Sequence, residues 1–580
     1  MNPPARRGAS GLARLGRAFL VVTGVSVVIV VATWPSTRYL TTRVYWTLYS
    51  EDMGMGLWWP NAFADAVMRG ENPFHATSLE WPVGTHPLMW NFGLPLLFFP
   101  IYYLARPILA TNLVAFAIAL LNAFSCAWLA RLVTGTRAGA VVGLLVGATN
   151  AYAWAEAGAG RQDQAFWAPI ALFLGAWLLL LREPERWRYR IVAAASLAAA
   201  GACYWFHALF LGVVTAIATL GMALRRNLSR ARMRALAVVA TLASAMAIPF
   251  LLPLLADWSA FVTQHQAVSA QVPALIPQQI AWSLTPACFG GLLTQGRNDP
   301  SIHTPLLLLP ASLWAAWRGQ GDIRLLGRVG LIAALFSAGP ILTDWHGQPV
   351  KLLGHWVPLP TYYLNAIPGF HRLWWPHRWL AVAFPVHAAA MAALISRAHR
   401  KRPLIAAFAI LSIAECAIIL RINHPPRSQL WPKEHVPEVF DQLADVPYPA
   451  PILHLPLEVV APKYLCWQPF HRQPIDQGAD WHIPGLVPEA YHERLHRLPI
   501  VQAIEQASHG ITVPQHNTWS PEDAGGFHYV LLNLEEVVDN TLLEAVTGLL
   551  GAPFYHDSDV VIWNIPGVGR PVPPPGSPRR

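Results

Sequence analysis

A chain of 580 residues that is 54% hydrophobic and only 13% charged carries about half the charge density of a soluble domain, which excludes a water-soluble globular fold. The net charge of +9 does not point to nucleic acid, because the basic residues lie in short clusters between apolar blocks and form no patch with interleaved aromatics. Cys126, Cys203, Cys288, Cys416 and Cys466 show no CxxC pair and no metal-ligand spacing, so neither a structural zinc nor a disulfide framework is indicated.

The apolar residues come in blocks of roughly 15 to 20, about what a helix rising 1.5 Å per residue needs to cross the hydrocarbon core. Arg6, Arg7, Arg14 and Arg17 precede the first block, 18–34, which reads as an uncleaved signal anchor. Further spans are predicted at 108–130, 138–154, 165–181, 191–204, 208–224, 235–252, 305–317, 329–342, 379–395 and 404–420, for about eleven helices. Every second loop is Arg-rich: Arg131 with Arg137, then 182–190, 225–234, Arg318 with Arg324 and Arg328, and 397–402. By the positive-inside rule these loops face the cytoplasm. The expected organisation is a cytoplasmic basic N-terminus, 1–17, and a transmembrane domain, 18–421, with a large first outer loop, 35–107. The stretch 93–105 reads as re-entrant or interfacial, and Tyr204, Trp205 and His207 mark a tight turn between two short helices.

After Leu420 the composition becomes that of a globular domain. Helices at 436–445 and 540–550 and strands at 451–457, 528–534 and 559–564 predict a small α/β domain over 422–566, on the periplasmic side, followed by a disordered Pro-rich tail, 567–580. The fold class is therefore a mainly α polytopic membrane bundle with a small C-terminal α/β domain.

Several groups outside the cytoplasm could carry chemistry. Glu51 and Asp52 stand just beyond the first span. They either cap the following Trp-rich helix or supply a general base toward a substrate hydroxyl. Asp163 opens a span on the outer side, as an N-cap or as a second functional acid. His371, Arg372, His377 and Arg378 lie among tryptophans at the outer edge of a span. There the arginines either hold a lipid phosphate in their planar forks or snorkel to headgroups within an aromatic belt. Glu415 is an ionisable residue inside the last span with no obvious partner in the sequence. His207, His265 and His303 lack metal-motif regularity. The C-terminal domain shows no nucleophile elbow, phosphate loop or paired carboxylates, so it is expected to bind or shape an acceptor.

The pair Glu51-Asp52, then Trp58-Trp59, Gly70-Glu71-Asn72-Pro73-Phe74 and Trp81-Pro82-Val83-Gly84, resembles the first periplasmic loop of the C-type polytopic membrane glycosyltransferases, close to their uncharacterised bacterial members. The likeness continues through Arg161-Gln162-Asp163-Gln164, in the place of a second acidic motif, and through the segment from His371 to Trp379. The resemblance implies a catalytic Asp52 with Glu51 beside it, and a polyprenyl-phosphate sugar donor drawn from the membrane lipids. It also implies an acceptor, whether glycan, lipid or protein, on the outer side. The second loop lacks the Asp-Glu or Glu-His pair that helps some members hold a metal, so no cofactor is firmly implied and a divalent metal is left open. Two other readings compete. One is a lipid or solute transporter or flippase with Glu415 as its coupling residue, against which stands the lack of an internal repeat. The other is a non-catalytic scaffold of the same fold. Abundant Arg, Ala and Pro suggest a bacterial source and hence an inner membrane.

Overall fold

The computed structural model describes residues 10–34, 36–44, 51–84, 91–256, 275–281, 283–285, 304–367, 375–423, 436–457, 462–476, 489–513, 518–537 and 540–572. Helices run in chain order as α1 (Ser10–Ala32), α2 (Glu51–Arg69), α3 (Gly93–Leu97), α4 (Phe99–Leu104), α5 (Pro107–Thr134), α6 (Arg137–Ala148), α7 (Ala151–Gly158), α8 (Gln162–Ala165), α9 (Ala168–Arg182), α10 (Trp187–Cys203), α11 (Trp205–Leu224) and α12 (Arg230–Ala256). The bundle then continues through the helices Leu308–Arg318, Asp322–Ser337, Leu380–Arg397 and Lys401–Asn423.

A helix occupies each of the eleven predicted stretches. Among the described residues, seven segments are long and apolar enough to cross a membrane: Pro107–Thr134, Arg137–Gly158, Gln162–Arg182, Trp205–Leu224, Arg230–Leu252, Pro376–Arg397 and Lys401–Leu420. The chain is thus a multi-pass membrane protein. The stretch at 93–105 breaks at Phe98 into two helices of 5 and 6 residues, each far below the roughly 20 residues a span requires. The predicted turn falls at Tyr204, which alone separates α10 from α11.

Local chemistry explains the joints. Gly135, at φ 67°, ends α5 with its N–H on the Arg131 carbonyl, and Thr136 Oγ1 accepts from Gly139 N at 3.0 Å to start α6. Gly143 and Gly147 let α6 lie directly on α5: an added Cβ would come within 2.5 Å of Cys126 O and of Ala123 Cα respectively. The Ala-rich helix Leu380–Arg397 is buried over nearly its whole length and forms the centre of the bundle.

The C-terminal domain holds a four-stranded sheet in the order β3 (Ile452–Leu455), β4 (Tyr529–Asn533), β6 (Val560–Asn564), β5 (Tyr555–His556), parallel between β3 and β4 and antiparallel elsewhere. A separate two-stranded ribbon, β1 (Lys351–Leu352) with β2 (His355–Trp356), projects from the bundle. The larger sheet is covered on both faces, which accounts for its unbroken apolar strands. Leu453, Val530, Leu532, Val561 and Trp563 pack on the helices Pro499–Ser508 and Thr541–Leu550. Ile452, Tyr529, Leu531, Val560 and Ile562 join a second core that contains Trp58, Trp59 and Phe63 of α2 together with Tyr464 and Trp467 of the helix Pro462–His471. Backbone bonds from Trp81 N to Ile475 O and from Ile475 N to Ser78 O stitch the loop that follows α2 to the domain. Within the stretch expected to be disordered from 567, the Arg570 carbonyl accepts from Tyr529 OH at 2.8 Å and its guanidinium reaches Pro447 O; 573–580 lie outside the described residues.

Candidate active site

One end of the bundle buries a charged cluster where α7 gives way to α8. Thr149 ends α6 and Asn150 caps α7, its Oδ1 accepting from Ala153 N at 3.0 Å. One and a half turns later Glu156 is fully buried. Arg161 donates from Nε to Glu156 Oε2 at 2.5 Å, and His377 Nε2 stands 3.9 Å from Oε1. Placing a carboxylate in this apolar setting costs several kcal/mol unless it is paired, and the cation five residues on answers that cost.

Asp163 lies in α8. Its Oδ2 accepts from Asn91 Nδ2 at 2.7 Å and its Oδ1 from Gln164 N at 2.9 Å. It does not cap the membrane-crossing helix α9, whose N-cap is Trp167 with no side-chain bond. The N-cap role for that span is therefore corrected: Asp163 is bound sideways by a residue of the first outer loop, and Asn91 Oδ1 in turn accepts from Trp205 N.

His377 and Arg378 sit on a short 3₁₀ turn, Pro376–Trp379, whose four side chains are all buried. The turn is anchored by Trp379, stacked between Phe210 and Phe336 at centroid distances of 4.3 and 4.5 Å. Trp379 is therefore a core residue and not part of a lipid-facing belt. Arg378 is only 7% exposed and does not snorkel. Its Nη1 donates to Tyr204 OH at 2.6 Å, its guanidinium lies 4.0 Å from the Trp375 ring centre, and its charge acts on both Asp163 and Glu156. Its Nε has no hydrogen-bond partner. The buried His207 meets the Tyr204 ring edge-on at 4.9 Å.

Helix α2 reaches this cluster through a glycine contact. A Cβ added to Gly56 would overlap the carbonyl oxygen of Gly160, itself at φ 82°, so the two backbones touch. Glu51 and Asp52 form the first turn of α2, with Asp52 one turn before Gly56; their side chains lie outside the described residues, as do His371, Arg372, His265 and His303. The structure thus brings Asp163, His377 and Arg378 into one cluster and adds Glu156 and Asn91, which the sequence did not single out, together with Arg161 and Tyr204, which it named only in a motif and in a turn. Glu415, expected to lack a partner, accepts from Leu306 N at 2.7 Å and shares a small pocket with His387 and Asn150.

Among the described residues no group of three or more His, Cys, Asp and Glu side chains is placed to hold a metal. Glu156 and Asp163 are each already taken up, by Arg161 and by Asn91.

No protein-family model matches the chain, and no curated protein matches it by sequence. In fold it is similar to crystal structures of ArnT from Cupriavidus metallidurans. For the complex with undecaprenyl phosphate the TM-score is 0.53 at 12% identity over 96% of this chain and 99% of that one. For the apo state it is 0.51 at 14% identity over 96% and 100%. The apo oligosaccharyltransferase of Archaeoglobus fulgidus matches at a TM-score of 0.50 and 11% identity, over 89% of this chain and 69% of that one. At such identities the likeness establishes the fold alone: the chain shares the architecture of these structures.

Proposed function

We propose that this protein moves a sugar from a polyprenyl-phosphate donor to an acceptor on the periplasmic side of a bacterial inner membrane. The observation that carries this reading is Arg378, a buried guanidinium held by Tyr204 and Trp375, with Nε unpaired among the described residues. A guanidinium kept out of water and short of acceptors is a receptor for phosphate oxygens. The similar fold of ArnT was solved with undecaprenyl phosphate, a ligand of the class assigned here.

In this reading Asp52 accepts the proton of the acceptor's hydroxyl or amine as that atom bonds to the anomeric carbon. The bond from the anomeric carbon to the donor phosphate oxygen breaks on the opposite face, and the polyprenyl phosphate leaves with the electron pair. Arg378, with Arg372 and His377, meets the charge that develops on the phosphate. Glu51 neighbours the base, and Asp163, fixed by Asn91, lines the acceptor side. The C-terminal domain, docked on α2, shapes the acceptor.

The test is binding of a polyprenyl phosphate to the protein in nanodiscs, followed by transfer from a sugar-loaded donor. Arg378→Ala should weaken binding at least tenfold, and Arg378→Lys, which keeps the charge but loses the fork, should weaken it less. Asp52→Asn should bind normally and transfer nothing. Unchanged affinity in both Arg378 variants overturns the phosphate site, and normal transfer by Asp52→Asn overturns the base.

A further inference from the structure

At the other end of the bundle the helices Leu308–Arg318 and Asp322–Ser337 form an antiparallel hairpin closed by Gly319, Gln320 and Gly321. An open groove at its tip is lined by Leu313, Ala316, Trp317, Arg324, Arg328 and Leu331. Arg324 donates from Nε to Gly319 O at 2.8 Å, which fixes its guanidinium at the mouth. Arg328 follows one turn later, and Arg225, at the C-terminal end of α11, joins Arg324 in repelling it. Among the described residues no carboxylate lines the groove, and the acid of the same hairpin, Asp322, is bound by Arg182.

Like charges gathered this way raise the free energy of the site until an anion enters. Beside them Trp317 is 81% exposed and Leu313 48%, an apolar wall at the level of the arginines that no described residue covers. A free phosphate would satisfy the guanidinium groups and leave that wall bare. A phosphate carrying an acyl chain satisfies both.

We infer that this groove is a binding site for an anionic glycerophospholipid, its phosphate on Arg324 and Arg328 and its chain along Leu313, Trp317 and Leu331. The site is separate from the Arg378 cluster. Helix α9 runs from the α8 junction to Arg182, which pairs with Asp322 of this hairpin, and its 15 residues put the two sites about 22 Å apart along the bundle.

The experiment is lipid binding to the delipidated full chain in detergent, with phosphatidylglycerol, phosphatidylcholine and inorganic phosphate as probes, read by native mass spectrometry. Phosphatidylglycerol should bind at least tenfold more tightly than phosphatidylcholine. That preference should vanish in Arg324→Gln/Arg328→Gln, while Trp317→Ala should weaken both lipids and inorganic phosphate should not compete. Should the double variant misfold, Arg225→Gln alone should lower the preference several-fold. Equal binding of the two lipids, a preference that survives loss of the arginines, or full competition by inorganic phosphate would each overturn the site.

Discussion

The bundle and the C-terminal domain each bury a histidine against a carboxylate, and they use the pair differently. In the domain, Asp476 Oδ1 accepts from both the backbone N–H and Nδ1 of His454, at 2.8 and 2.9 Å, beside a sheet covered on both faces. In the bundle, Glu156 is gripped by Arg161, while His377 stands off at 3.9 Å next to a guanidinium with an unpaired nitrogen. The first arrangement spends its carboxylate oxygen on fixing one side chain to its own strand. The second compensates one charge and leaves the Arg378 Nε unpaired among the described residues. Residue type and burial are the same in both; the difference lies in which hydrogen bonds are already made.

The comparison can be broken by removing each acid. Glu156→Gln leaves Arg161, its side chain 13% exposed, against a neutral amide, and the loss of one partner of such a pair costs about 3 kcal/mol. Asp476→Asn weakens charge-assisted bonds without stranding a cation, at a cost of about 1.5–3 kcal/mol. Thermal unfolding of the two variants should rank them in that order, and equal destabilisation would mean that Glu156 is as self-contained as Asp476. A milder perturbation sharpens the functional half. Gly56→Ala forces α2 away from Gly160, and overpacking of this kind costs about 1–3 kcal/mol. Sugar transfer should drop more than tenfold while polyprenyl-phosphate binding changes little. A variant with full transfer would detach α2 from the site.

Much of the bundle was legible because lipid imposes long apolar blocks and because the cap residues flank them. The break at Asn150 was hidden, since the apolar run at 138–154 reads as one helix and the cap that restarts α7 is a single side-chain bond. The sheet strands β3, β4 and β6 were readable as apolar runs, whereas the helix Pro462–His471, with two prolines and a polar composition, owes its existence to packing against α2. In the site, Asp163, His377 and Arg378 stood out by residue type. Glu156 did not, although an acid between alanines in an otherwise apolar helix is itself a signal. Asn91 and Tyr204 had no such signal, because their partners lie 72 and 174 residues away in the chain.

The smallest expected effect comes from pH, and it separates the domain from the bundle. His471 ends the helix Pro462–His471 fully buried, its Nδ1 accepting from Gln473 N at 3.1 Å and its ring 5.0 Å from that of Phe440. Burial, with the nearby His454 second, holds its pKa well below the ordinary histidine range. A base whose folded pKa is depressed contributes its full stability above the unfolded value, about 6.5, and loses it as pH falls, because the unfolded chain takes up the proton first. One such proton gives a slope approaching about 1.4 kcal/mol per pH unit. Between pH 7 and 5.5 the domain's unfolding temperature should therefore fall by several degrees. His528, whose pKa is also lowered, by burial and then by Arg570, contributes in the same direction. His471→Gln can keep an acceptor for Gln473 N but has nothing to titrate, so it should flatten the pH profile by one proton and leave the remainder to His528. A profile as steep in the variant as in the parent chain would mean that His471 is not the group that responds. The acid sensitivity of the domain would then have to come from its surface and not from the core that docks it on α2.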